Sequence, residues 1–473
     1  MKKLLSVIFA VMFIAGCFMF NGTAAEADTK NLTAAKDLYN TENVIINESL
    51  DTLQADLFEA ALNNSSDKKP CIVYIPADTT YIIETIKNHK KDGIEAGYKS
   101  GVYVPENVIL VAEDTTVIKA GVETTRLVMV SGSVYGGKYD GAKKASFPLS
   151  FKNGTTFEKT KSGDKQVDGN IEYTEVTGAT QCGIKAIGCK NIRICYNNVH
   201  DCTKANACGI SIMYGSLATS ISRNTITNVG SDGKGSGIDV THASADNINN
   251  NTITKTGGHG VSTDTEQSPS SKTKQNYVRI SNMKGNKISK AGKHGIWLEK
   301  KCYIKSAFSN NTITDSGSCG IAIQGTHKYP GDNKYVIKKM SSNTIKKSKR
   351  SNISVSGKYG IISLGKSNKI NESIEQCSIV LDEKAKLYIV GTDNKINGSE
   401  QYGIYLKNGS YLKSTYKKTY IQENGKYAIG LTNGSKAELK YTTLTKNTSG
   451  SAYVGSGCTL KTTSCKTDKI VRA

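Results

Sequence analysis

The chain has 473 residues and a strong basic excess, 62 Lys and Arg against 41 Asp and Glu, giving a net charge of +21. That charge favours a polyanionic partner, although lysines also solubilise strand edges and loops. Twelve cysteines show no metal-binding spacing, and the odd number left once Cys17 departs with a signal argues against a complete disulfide framework.

Lys2 and Lys3 precede an apolar run from Leu4 to Phe20 and small residues ending at Ala25-Glu26-Ala27. This is the pattern of a secretory signal over residues 1–27, cleaved after Ala27, which lowers the charge to +20 by removing Lys2, Lys3 and Glu26. Ile14-Ala15-Gly16-Cys17 also resembles a lipobox, which would leave a lipid anchor on Cys17. No second apolar span follows, so no transmembrane span is expected. Export makes an acidic polysaccharide, teichoic acid or another anionic cell-surface polymer the expected partner, rather than nucleic acid.

Residues 28–43 read as a linker. Asp51 to Leu62 then places Leu53, Leu57, Phe58, Ala61 and Leu62 on one face of an amphipathic helix. Ile72-Val73-Tyr74-Ile75-Pro76 and Tyr81-Ile82-Ile83 follow as strands. A helix, a strand ending in Ile-Pro and a Tyr-Ile strand resemble the N-terminal cap and first rung of the pectin-lyase-like right-handed β-helix superfamily. Val134-Tyr135-Gly136-Gly137-Lys138-Tyr139-Asp140-Gly141 is similar to that superfamily's early Gly-Gly and Asp-Gly rung.

From Asn197 the chain repeats itself. Asn-x-hydrophobic recurs at Asn197, Asn224, Asn251, Asn286, Asn311 and Asn343, in step with Gly-aliphatic pairs starting at Gly183, Gly209, Gly237, Gly260, Gly295 and Gly320. The intervals between those glycines are 26, 28, 23, 35 and 25 residues. Such periods are too short for packed helix pairs, and Asn, Gly, Thr and Ser are poor helix formers, whereas Ile/Val alternation suits short strands. The expected fold is therefore all-β, a single-stranded right-handed parallel β-helix over residues 44–473 with an N-terminal capping helix. Rungs about 4.8 Å apart would stack each Asn on the next as a structural column. Gly360-Ile361, Gly403-Ile404, Ala428-Ile429 and Ala452-Tyr453 continue the repeat for roughly a dozen and a half turns in all. Cys182, Cys208 and Cys319 each precede a repeat glycine and read as stacked core residues, while Cys458 and Cys465 could close a small loop.

Strand alternation points Ile238 and Val240, or Ile296 and Leu298, inward. The outward set, rung by rung, is then Lys185 and Ile187, Ser211 and Met213, Asp239 and Thr241, Ser262 and Asp264, Trp297 and Glu299, Ala322 and Gln324. Acidic and aromatic residues thus fall on three adjacent rungs. Two long segments, Glu266 to Gln275 and Gly325 to Lys334, leave the end of this same strand column and would wall a groove. Trp297, the only tryptophan, suits a sugar ring; it could equally pack beneath a loop. Asp239, Asp264 and Glu299 are close enough in this scheme to raise one another's pKa or to hold Ca2+. Solvated carboxylates on a polar face are the plain alternative. His242, His259, His294 and His327 gather on the same rungs, with Lys293 and Lys300 beside them.

Gly237-Ile238-Asp239-Val240-Thr241-His242 is similar to the Gly-aromatic-Asp-Pro-His signature of mannuronan C5-epimerases, with Asp264 and Lys293-His294-Gly295 at two further matching places. Val240 replaces the proline, His242 arrives one residue late, and Ser236 stands at a tyrosine position. The resemblance implies proton abstraction next to a uronate carboxylate, with Asp239, Asp264, His242 and His294 as catalytic candidates. Trp297, Glu299, Lys293, Lys300, Gln324 and His327 are then substrate-binding candidates. A polysaccharide lyase or uronan C5-epimerase is the leading function, beside a glycoside hydrolase using Asp239, Asp264 and Glu299, and a non-catalytic glycan binder or adhesin.

Overall fold

The computed structural model describes residues 29–63, 69–88, 99–152, 169–265, 277–329 and 334–473. The chain winds as a parallel β-solenoid with up to three strands per coil, as in Ser236–Thr241, Ser244–Asn249 and Thr252–Thr256. One side is a 15-stranded parallel sheet running from Val102–Val104 to Ile470–Arg472, and the other sides join in a 29-stranded sheet. The repeat thus closes about fifteen turns, fewer than the sequence spacing implied.

The core is a set of stacked columns. Ile184, Ile210, Ile238, Val261, Ile296, Ile321, Ile353, Ile379, Ile404 and Ile429 pair in register and are fully buried. The glycine before most of them has a steric cause: a Cβ on Gly237 would lie 2.4 Å from Ile253 Cγ2 and 2.7 Å from the Gly260 carbonyl oxygen. Later rungs depart from the Gly-aliphatic rule. Asn352 and Ser378 precede Ile353 and Ile379, whereas Ile361 belongs to a different side, pairing with Lys386. At the end Ala452, not Tyr453, takes the inward place after Ile429. A Gly-Ile dipeptide alone does not say which side of the coil it occupies.

The asparagines form the expected ladder and extend it to Asn368 and Asn394. Each Nδ2 donates to the next Oδ1 at 2.9–3.1 Å. From Asn197 to Asn368 the same Nδ2 also donates to a backbone carbonyl of the preceding coil, as Asn251 does to Ile221 at 2.9 Å. The residue before each repeat Asn has positive φ, 60° at Tyr196 and 59° at Arg223, which turns the corner sharply enough to bring the amide inside.

Among the described residues, two helices close the N-terminal end. Helix α1 (Lys30–Tyr39) lies within the segment read as a linker. Glu113 anchors its start, accepting from the backbone N–H of Asn31 and Leu32 at 3.0–3.1 Å, and Leu32, Ala34, Ala35 and Tyr39 pack against Ile72, Tyr74, Ile109, Val111 and Tyr135. Helix α2 (Leu50–Asn63) matches the expected capping helix, burying Leu53, Leu57 and Ala60, while Leu62 stays 73% exposed. Cys458 and Cys465 are free thiols rather than a disulfide. Among the described residues no helix is long and apolar enough to cross a membrane.

Candidate functional site

Asp239 sits on strand Ser236–Thr241, where alternation buries Ile238 and Val240 and turns the carboxylate outward. Parallel register stacks Lys185, Ser211, Asp239, Ser262, Trp297 and Ala322 in one outward column. A second column holds Ile187, Met213, Thr241 and Asp264, so Asp264 lies diagonal to Asp239.

Hydroxyls from three rungs hold Asp239. Ser211 Oγ and Thr241 Oγ1 donate to Oδ2 at 3.2 and 3.0 Å, and Ser262 Oγ donates to Oδ1 at 2.7 Å. Burial raises this carboxyl above its ordinary range and the neighbouring Asp264 adds to the rise, against the lowering effect of the three hydroxyls.

Asp239 and Asp264 line a cavity of about 500 Å³ together with Cys182, Lys185, Cys208 and Asn206. Lys185 Nζ lies 4.1 Å from the centroid of the Phe147 ring. Burial lowers its ammonium below the ordinary lysine value, partly offset by Cys182, Cys208 and Asp239. Lys185, Cys182 and Cys208 were not among the sequence candidates. The available signal was the register, which puts a lysine two rungs from an aspartate on one face.

Trp297 is partly exposed, two places along the column from Asp239, and begins an aromatic stack. Its ring lies 5.2 Å from His294 and 6.1 Å from His259, and the two imidazoles are 5.2 Å apart, all within 16° of parallel. Cys319 N–H donates to His294 Nδ1 at 3.2 Å and His294 N–H donates to His259 Nδ1 at 3.4 Å. Each Nδ1 is therefore an acceptor, and the neutral ring carries its proton on Nε2. Burial pushes His259 down to about 3 and His294 to about 4, with Lys293 contributing to both. His294 is thus a neutral stacking residue beside the cavity, outside its lining.

The other candidates disperse. His242 follows the Asp239 strand at φ 45°, is 1% exposed, and stacks on Tyr214 at 6.2 Å instead of entering the cavity. Glu299 is buried and its Oε2 accepts from Thr265 N–H at 3.1 Å. The carbonyl of Lys300 accepts from the Thr265 hydroxyl, so both residues anchor the chain after Asp264. Gln324 pairs with Ser356, Lys293 is exposed, and His327 is exposed with Nδ1 2.9 Å from Thr326 Oγ1. Glu266 to Gln275 lies outside the described residues, as do residues 330–333 of the second long segment. With Glu299 directed at Thr265, the three carboxylates do not converge as a Ca2+ site would require. Among the described residues no group of three or more His, Cys, Asp or Glu is placed to hold a metal ion.

Residues 163–333 and 305–467 match the family described as right handed beta helix region, together more than half of the chain. The chain belongs to that family. No curated protein matches the sequence. Among solved structures, the A-module of a mannuronan C-5 epimerase from Azotobacter vinelandii is similar at 12% identity, covering 92% of this chain and 98% of that one, with a TM-score of 0.44. A GH87 alpha-1,3-glucanase from Streptomyces thermodiastaticus is 11% identical over 89% of this chain and 66% of its own, with a TM-score of 0.39. A surface adhesin of Streptococcus pneumoniae is 9% identical over 92% of both chains, with a TM-score of 0.24.

Proposed function

We propose that this right-handed β-helix is an exported protein that binds a uronate-containing polysaccharide and removes the proton next to a uronate carboxylate, as a lyase or C5-epimerase. One observation carries the reading: a lysine and a carboxyl raised by burial line the same cavity, on a chain of net charge +21. A uronate carboxylate placed on Lys185 would have its charge neutralised, which acidifies the adjacent C–H. Asp239, raised toward neutrality, is then a stronger base than an exposed carboxylate. Trp297, two rungs or about 10 Å further along the axis, offers a ring to a neighbouring sugar.

The test is a product scan on alginate, pectate, glycosaminoglycans and neutral glycans. Absorbance of unsaturated uronates identifies a lyase, and altered NMR signals of full-length polymer identify an epimerase. Reducing ends without unsaturation would replace the proposal with hydrolysis. A binding role without turnover is favoured by a separate observation, that among the described residues no histidine lines the cavity; binding of uronate polymers with no chemical change in any assay would establish it.

A further inference from the structure

Cys182 and Cys208 are register partners on adjacent strands, both free, and both line the cavity beside Lys185 and Asp239. Nothing in the proposed chemistry uses them. Neighbouring parallel strands lie about 4.8 Å apart, and a disulfide accepts Cα separations of about 4.4–6.8 Å, so the pair can close without unwinding the coil. We propose that Cys182 and Cys208 are a redox-active dithiol whose reactant is a small disulfide entering the cavity.

The thiolate of Cys182 attacks one sulfur of the incoming disulfide and expels the first thiolate. Cys208 then loses its proton to solvent and attacks Cys182 Sγ, expelling the second, so that two cysteine thiols are oxidised and one disulfide is reduced to two thiols. The order follows from the surroundings. The Cys208 thiol donates to the Asn206 carbonyl at 3.7 Å; the neighbouring Cys208 and the Lys185 ammonium lower the Cys182 thiol, while Cys182 and burial push Cys208 up. Serine should be tolerated at either place, because Ser236 stands next in the same column on the following rung.

The experiment treats the folded full chain, with Cys458 and Cys465 replaced by Ser, with 5,5′-dithiobis(2-nitrobenzoate) and maps peptides by mass. A cross-linked peptide pair, 2 Da lighter than the two thiols and carrying no nitrobenzoate, is the expected product. Cys208→Ser should trap a nitrobenzoate mixed disulfide on Cys182, and Cys182→Ser should slow labelling of Cys208 at least ten-fold. Circular dichroism verifies that each variant is folded. Two independently labelled thiols, a mixed disulfide on Cys182 that persists while Cys208 is intact, or no reaction at either residue would overturn the proposal, whatever the glycan assays show.

Discussion

Ser262 Oγ donates to Asp239 Oδ1 at 2.7 Å across the step between two rungs, the shortest of the three hydroxyl contacts on that carboxylate. The contact stabilises the charged form and so opposes the rise caused by burial. Ser262→Ala should therefore move the acid limb of the kcat/KM profile to higher pH, while Asp239→Asn should lower kcat on a uronate polymer by about 100-fold or more with a much smaller change in binding. Asp264→Asn, which alters the charge beside Asp239, should also abolish most turnover and spare affinity. A profile that does not move in Ser262→Ala would show that Asp239 is not the titrating base.

Trp297 holds substrate and transition state alike, so its loss should appear first in affinity. Trp297→Ala is expected to weaken binding by about 1–2 kcal/mol, roughly ten-fold, at nearly constant kcat. Calorimetry at low and at 0.5 M salt should also show a steep fall in wild-type affinity, because the attraction is largely between opposite charges. Salt-independent binding would count against a polyanionic ligand.

His259 and His294 set an acid limit on stability. Their folded values are depressed to about 3 and about 4, below an unfolded value of about 6.5. Below pH 6.5 the unfolded chain binds protons that the folded stack refuses, so the stability they contribute is complete above that pH and lost as it falls towards 4. Urea midpoints measured from pH 7.5 to 4.5 should decline in the wild type, and the decline should shrink in His259→Gln/His294→Gln. Parallel curves for the two proteins would refute the assignment.

Three substitutions test the architecture. Asn251→Ala deprives Asn224 of an acceptor for both its N–H and its Nδ2, and deprives the Ile221 carbonyl of a donor, at a cost of about 3 kcal/mol or more. Gly237→Ala meets Ile253 and the Gly260 carbonyl, and should cost at least about 2 kcal/mol, whereas Gly434→Ala, with nothing within 4 Å but φ at 73°, should cost about 1. Chemical denaturation distinguishes these, and equal losses at the two glycines would remove the packing argument.

What could be read directly from the residues was what repeats. The Asn and Gly columns and the inward Ile238, Val261, Ile296 and Ile321 follow from one rule applied rung after rung, so the fold was legible. The site was legible only in part. Asp239, Asp264 and Trp297 are on the predicted face, but the contributions of Lys185, Cys182 and Cys208 come from stacking between coils separated by more than twenty residues. His242 looked available because a left-handed corner at φ 45° is invisible in composition, and Glu299 looked available because its partner, the Thr265 N–H, is a backbone group.

The asparagine corner also governs where this protein can change. Each amide there is committed to the coil on either side, so a residue inserted at that corner would break several hydrogen bonds at once. The strands Ala145–Phe151, His259–Asp264 and Ile321–Gln324 lie instead on the 15-stranded sheet that bears Asp239. The locked corner therefore keeps the winding unchanged while substitutions in the outward column from Lys185 to Trp297 alter what the face bearing Asp239 presents. New ligand preferences can arise on that one face, with the scaffold inherited intact.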